Sequence, residues 1–203
     1  MFIPKLHFYY AYPFDEGRRR LFAERNLGAY PSAEEVEGKV GEYRNLWEKI
    51  NADDRVMKSL IAHASVTLPR DLEVWIFGTG MNAMSSPFLI PAFRKTGEPY
   101  SEDKLIEIFI HEIAHRLVGN QNNNAGIHEY WGAIRQEYKN ESHITQNHVL
   151  VYALVIAVIT DVFGDEKVPD MVNPGSPDYI RAVEIVKEKG ARALIEQFRS
   201  YLK

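Results

Sequence analysis

The segment 102–118, EDKLIEIFIHEIAHRLV, limits the folds open to this chain more than any other part of the sequence. It carries two histidines four residues apart, His111 and His115, and a glutamate, Glu112, directly after the first. Residues four apart lie on one face of an α-helix. A helix here would direct both imidazoles at one point, so a metal held there needs a third ligand that the fold must bring close.

The pattern around the histidines favours a helix that is buried along one side. Ser101, followed by two acidic residues, is a typical helix start, and Gly119–Asn120 is a typical end. The apolar residues that share one face are Ile106, Phe109, Ile110, Ile113 and Leu117. At 100° per residue, His111 and His115 lie roughly opposite that face. We therefore expect one side of the helix in the core and the polar pair lining a cleft.

The composition narrows both the architecture and the chemistry. With 203 residues, 45% of them hydrophobic and 26% charged, the chain suits a single domain over 1–203, in which 165–203 is a C-terminal helical extension. The net charge of −4 gives no electrostatic reason to expect nucleic acid or an anionic membrane as a partner. Arg18–Arg20 is interpreted as a solvated turn. The chain has no cysteine, so a metal site must use His, Asp or Glu.

Two observations argue against export and membrane insertion. The N-terminal residues include Pro4 and Lys5 and lack the continuous apolar stretch of a signal peptide. The longest apolar run, Val149–Ile159, is shorter than the roughly 20 residues of a membrane span. The sequence therefore predicts a cytoplasmic protein without a membrane partner, and it leaves the oligomeric state open.

The first half of the chain alternates predicted strands and helices. Residues 5–13 are rich in aromatic strand formers, and 72–80 is a buried strand stopped by glycines. Helices are predicted over 31–50 and 53–64. The segment 81–94 is expected to be extended, at a sheet edge or in a loop, because its two prolines cannot donate to a ladder.

The second half is predicted to consist of helices joined by polar or proline-rich segments. A polar loop at 120–126 separates the motif helix from a short helix at 127–138. A long buried helix follows over 142–163, and a final helical region after Ser176 is divided at Gly190. The predicted fold class is therefore α+β, dominated by helices, with a small mixed sheet and an active-site helix.

The H-E-x-x-H pattern has a direct chemical interpretation. Zinc accepts neutral imidazole nitrogens at about 2.0–2.1 Å, and two histidines one helical turn apart meet that requirement. Glu112 would then lie beside a water on the metal, which it could deprotonate as a general base. The alternative is a structural role, in which the two histidines merely share a polar helix face in a helical bundle without metal.

On these residues the chain resembles the zincin family of zinc metallopeptidases, over roughly 72–164. The resemblance implies one Zn²⁺ per chain, bound by His111 and His115, and a peptide or protein substrate. It also implies that Glu112 activates water for attack on the peptide carbonyl. The alternative within this fold is a zinc-binding module with little or no hydrolytic activity.

A second, shorter resemblance concerns the segment GMNAMSSP, which is similar to the edge-strand segment of thermolysin-like and related gluzincin peptidases. By that resemblance Asn82 and Ala83 would hydrogen-bond the substrate backbone and add the peptide to a sheet as an extra strand. An ordinary loop is the alternative interpretation.

The third ligand is not given by the motif itself. Val118 and Gln121 occupy the glycine and histidine positions of the extended metzincin pattern, so a metzincin is not expected. Gluzincins instead use a glutamate in an E-x-x-x-D pattern. The matching pair, Glu166 and Asp170, is rejected because Pro169 interrupts it after a helix-ending glycine.

His148 is the preferred third ligand. It stands near the start of the long apolar helix and shares one face with Tyr152, and a histidine that points into a core needs a polar partner. His143 and Glu129 remain alternative ligands. His143 and Tyr152 are also candidates for stabilising an oxyanion.

Overall fold

The computed structural model describes residues 2–119 and 125–202, so most of the predicted polar loop at 120–126, with Gln121, lies outside the described residues. The chain folds into two compact units. Unit 1 comprises Met1–Asp54 and Pro69–Ile106, and unit 2 comprises Arg55–Leu68 and Glu107–Lys203. The predicted extension at 165–203 falls within unit 2. The single-domain organisation stays a prediction.

Unit 1 is built on three strands: β1 (Lys5–Tyr10), β2 (Asp71–Phe77) and β3 (Leu89–Pro91), in the order β1-β2-β3. Both strand pairs are parallel, so the expectation of a mixed sheet was wrong. The long helical connection from β1 to β2 permits this, because parallel strands need a crossover rather than a hairpin. As predicted, the proline-containing segment supplies an edge strand, with Pro91 as its last residue.

Helix α1 (Tyr12–Glu24) corrects two predictions. The N-terminal strand ends at Tyr10 rather than near residue 13, and Arg18–Arg20 lies on a helix rather than in a turn. Pro13 occupies the first turn of α1, where its missing N–H leaves no hydrogen bond unmade.

The carboxylate of Asp15 explains why α1 forms at this place. Asp15 is fully buried and accepts hydrogen bonds from the hydroxyls of Tyr10 and Tyr30, at 2.8 and 2.6 Å. It also accepts one from the backbone N–H of Gly78 at 2.6 Å and forms an ion pair with Arg19 at 2.8 Å. A buried carboxylate requires such partners, and these partners join α1 to the ends of β1 and β2.

Helix α2 (Ala33–Lys49) begins close to the predicted start at residue 31, with a capping box between Ser32 and Glu35. Its apolar face is buried, and Tyr43 on that face donates a hydrogen bond to the carbonyl of Ala92 at 2.9 Å. The helix thus covers the apolar side of the sheet in unit 1.

The remaining helices are α3 (Lys58–Ala64), α4 (Glu102–Val118), α5 (Ala125–Glu137), α6 (His143–Phe163), α7 (Val168–Met171), α8 (Pro177–Lys189) and α9 (Ala191–Ser200). A π-helical turn precedes α3, and a 3-10 turn precedes α7. The predicted boundaries at Ser142, Gly164, Ser176 and Gly190 are confirmed. The helix-dominated α+β class is confirmed as well.

Helix α6 forms the centre of unit 2, where α3, α8 and α9 pack around it. Its residues from Val149 to Val155 are all buried. By length and composition alone α6 could also cross a membrane, because it has 21 residues and is strongly apolar, but 61% of its apolar window is buried within the protein. The buried core helix of a soluble protein meets the same description, so the cytoplasmic location stays a prediction.

Candidate metal centre

Three histidines of unit 2 converge on one point. His111 and His115 lie one turn apart on α4, and His148 lies on α6. The Nε2 atom of His115 is 3.2 Å from Nε2 of His111 and 3.2 Å from Nε2 of His148. The predicted pair and the preferred third histidine are therefore brought together, and the three can hold a metal ion.

The spacing of these nitrogens matches a tetrahedral ion. Two ligands at about 2.0–2.1 Å from a tetrahedral centre are separated by roughly 3.3–3.4 Å. The 3.2 Å separations lie close to that value. Three imidazoles would occupy three corners and leave the fourth for water or substrate, as in catalytic zinc sites.

The orientation of His148 is fixed by its own helix. Its Nδ1–H donates to the carbonyl of Ile144 at 2.7 Å, so the neutral ring carries its proton on Nδ1 and directs the lone pair of Nε2 at the other two histidines. Metal-binding histidines are commonly held in this way. Burial lowers the pKa of His148, an effect that the bond to Ile144 and the charge of Asp178 oppose.

His115 is also held in its neutral form. Burial, with a smaller contribution from His148, lowers its pKa to about 3. Only a neutral imidazole offers a lone pair to a metal, so a histidine that stays neutral is prepared for binding.

Glu107 lies one turn before His111 on the same face of α4. Its side chain is only 3% exposed, and its Oε1 lies 3.8 Å from Nδ1 of His111. That distance is longer than a hydrogen bond but close enough for attraction to a protonated or metal-bound imidazole. Glu107 is therefore the carboxylate placed to orient His111.

Glu112 is 8% exposed. Burial, with a smaller contribution from the charge of Glu107, raises the pKa of its carboxyl to about 8. In the absence of a cation Glu112 therefore binds a proton at neutral pH. A positive charge beside it would lower this pKa and favour the carboxylate.

Two tyrosines complete the surroundings of the histidines. The ring centroid of Tyr152, on α6, lies 5.2 Å from that of His111. The ring of Tyr179, on α8, lies 4.3 Å from that of His148. Burial, followed by nearby carboxylates, raises the pKa of both hydroxyls, so each keeps its proton and can donate a hydrogen bond.

The alternative ligands lie elsewhere on their helices. His143 is exposed in the first turn of α6. Five residues before His148, it points about 140° away from it around the helix. Glu129 is exposed on α5, and Glu166 and Asp170 are exposed as well.

Asn82 and Ala83, the predicted substrate-binding residues, belong to unit 1. Asn82 is exposed and Ala83 half-buried, and both stand outside the strands, just before the antiparallel bridge between Met84 and Leu89. Their role in binding a peptide stays a prediction.

Sequence reasoning missed Glu107 and Tyr179. Glu107 had a usable signal, because a glutamate four residues before His111 shares its helix face. Tyr179 had none, since it reaches the site only through the packing of α8 against α6.

Comparison with protein-family models found no match for this chain. Comparisons with curated proteins and with solved structures found no significant match either. The interpretation of the site therefore rests on its own residues.

Proposed function

We propose that this protein is a zinc-dependent peptidase of the zincin type, with His111, His115 and His148 as the metal ligands. The observation that carries the proposal is the convergence of three imidazole Nε2 atoms beside a buried glutamate. Together these groups match the ligand set and general base of a catalytic zinc site.

Zinc is the proposed ion because of the donor atoms. Imidazole nitrogen suits zinc and its neighbours in the first transition series, whereas Mg²⁺ and Ca²⁺ prefer oxygen. When bound, zinc would supply Lewis acidity, which polarises a substrate carbonyl and makes a coordinated water easier to deprotonate.

Glu112 is the proposed general base. Its pKa of about 8 describes a site without a cation, and the charge of a metal ion would shift the carboxyl towards its ionised form. The carboxylate then takes a proton from the attacking water and passes it to the leaving amine.

Tyr152 is proposed to donate a hydrogen bond to the oxyanion that forms when the carbonyl is attacked. Its raised pKa keeps the hydroxyl protonated, as a donor to a developing negative charge must be. His143, which is exposed on the first turn of α6, is the weaker candidate for this role.

One observation favours a second function, a zinc-binding module with little hydrolysis. His111, Glu112 and His148 are only 7%, 8% and 9% exposed, which limits the access of an extended peptide. Metal content and hydrolysis must therefore be measured separately.

Metal content is the first test. We expect about one zinc per chain in the purified protein, measured by mass spectrometry of the metal, and its loss in His115→Ala, because catalytic zinc sites need three protein ligands. His128→Ala, which changes an exposed histidine on α5, is the matched control and should keep the zinc. A zinc content that is the same in both variants would place the metal elsewhere.

Hydrolysis is the second test, with an unfolded protein as substrate. Glu112→Gln should keep its zinc and lose at least about 100-fold in cleavage rate, because general-base catalysis contributes on that order. Glu129→Gln is the control and should cleave like the wild type. Equal cleavage by Glu112→Gln would refute the mechanism, and zinc without cleavage in the wild type would support the binding module.

A further inference from the structure

The start of α8 is fastened to the start of α6. The Asp178 carboxylate contacts the Ser142 hydroxyl, and Thr145 Oγ1 donates to the Asp178 backbone carbonyl at 3.1 Å. One turn further on, Arg181 donates to Glu141 at 3.0 Å. These contacts set the position of the residue that follows Asp178.

That residue is Tyr179, and its ring packs against the third histidine. The planes of Tyr179 and His148 are tilted by 35° and their centroids are 4.3 Å apart, so the two rings are in close contact. The same ring lies 6.0 Å from His111 and 6.1 Å from Tyr152.

The two restraints on His148 complement one another. The bond from Nδ1 to the Ile144 carbonyl fixes one edge of the imidazole. The ring of Tyr179, in contact with the imidazole, restricts rotation of the imidazole plane about that edge. Together they hold Nε2 in the direction of His115.

The apolar face of α8 keeps Tyr179 in place. Its buried residues are Ala182, Val183, Ile185 and Val186. Because these pack within unit 2, they hold in place the backbone from which the Tyr179 ring reaches His148.

We infer that Tyr179 is a positioning residue for the third metal ligand, and that α8 is a part of the metal centre rather than an appendage to it. The inference rests on the metal-binding part of the proposed function and is independent of hydrolysis. On this inference, metal affinity depends on Tyr179, which acts through His148 rather than as a ligand.

Zinc affinity tests this inference, measured by competition with a chromophoric chelator. Tyr179→Leu, which removes the ring in contact with His148, should weaken zinc binding about tenfold or more, the usual effect of losing a group that orients a ligand. Tyr179→Phe keeps the ring and should stay within about twofold of the wild type. Tyr201→Leu, at a half-buried tyrosine that packs on Tyr130, is the matched control and should bind zinc normally.

Asp178→Ala gives a second variant in case Tyr179→Leu does not fold. It keeps the tyrosine but removes the contact with Ser142, and we expect zinc affinity to fall about threefold, less than on loss of the ring. The inference is overturned if Asp178→Ala and Tyr179→Leu both bind zinc as tightly as the wild type. It is also overturned if Tyr201→Leu loses as much zinc affinity as Tyr179→Leu. If the wild type binds no zinc, there is no metal site and the inference fails with it. If zinc affinities follow the expected pattern but the wild type does not cleave protein, only the proposed peptidase activity is refuted.

Discussion

Burial favours the uncharged form of three ionisable side chains in the candidate metal centre. His115 and His148 have lowered pKa values, and Glu112 has a raised one. A site of this kind disfavours isolated charges and gains from a cation that allows the carboxylate to ionise. The effect of burying one of these groups on the free energy of unfolding can be measured by replacing Glu112.

Glu112→Gln should stabilise the metal-free protein, and more so as the pH rises. The folded-state pKa of about 8 exceeds the ordinary value of 4.5. Glu112 therefore stabilises the fold fully below pH 4.5, and that contribution is lost as the pH rises through 8. Since one pKa unit corresponds to about 1.4 kcal/mol, the gap between variant and wild type should widen by a few kcal/mol.

Urea unfolding in the presence of a chelator measures this gap between pH 4.5 and 8.5. Glutamine is similar in shape to glutamate and does not titrate. The stability of Glu112→Gln at each pH therefore serves as the reference for the wild type. A gap that stays constant over the whole range would mean that Glu112 is solvated rather than buried.

Some residues of the site could be predicted from the sequence and others could not. His148 could be identified because helical periodicity placed it with Tyr152 on one face of a single element. The same rule would have found Glu107. Tyr179 could not be found, because periodicity describes neighbours within a helix and not the face on which another helix docks.

Helices and strands were predictable wherever one local pattern dominated. The apolar sequence of α6 and its Ser142 cap define that helix without help from the rest of the chain. Helix α1 was missed because its aromatic start resembles a strand, and its formation depends on the distant partners of Asp15. The parallel sheet was missed because register and direction depend on the chain connection.

Helix α6 should be the most sensitive element of unit 2 to truncation of its apolar side chains. Leu154 is fully buried at its centre, and Leu154→Ala should lower the free energy of unfolding by about 2–5 kcal/mol because it leaves a cavity. Ile144→Ala is the matched control on the same helix. Ile144 is 49% exposed, so its loss should change stability by less than about 0.5 kcal/mol.

Urea titrations of both variants give the comparison. The midpoint of Leu154→Ala should fall with little change in slope. Equal effects of the two substitutions would contradict the position of α6 as the core of unit 2.

At the scale of the whole chain, the candidate metal centre belongs to a single unit. Its residues lie within unit 2, on the part of α4 from Glu107 onwards and on α6 and α8. A metal that binds only the folded form stabilises that form by mass action. Metal binding should therefore be visible in unfolding, even in the absence of a substrate.

Zinc at about 100 times its dissociation constant should stabilise the protein by about 2.7 kcal/mol relative to chelator-treated protein. For a chain of this size that corresponds to a rise in Tm of about 5–10 °C, which differential scanning fluorimetry can measure. His115→Ala should show no zinc-dependent shift. A shift of the same size in that variant would show that zinc acts at another place.

The hydrogen bond from His148 to the carbonyl of Ile144 has a consequence for how the centre fills. The ring keeps its proton on Nδ1, which points away from the other histidines, and Nε2 has a lone pair before any ion arrives. His115 is likewise neutral at pH 7, because its pKa is about 3. Neither of these two ligands has to release a proton on loading, whereas Glu112, which holds a proton in the absence of a cation, is expected to release one when a cation enters.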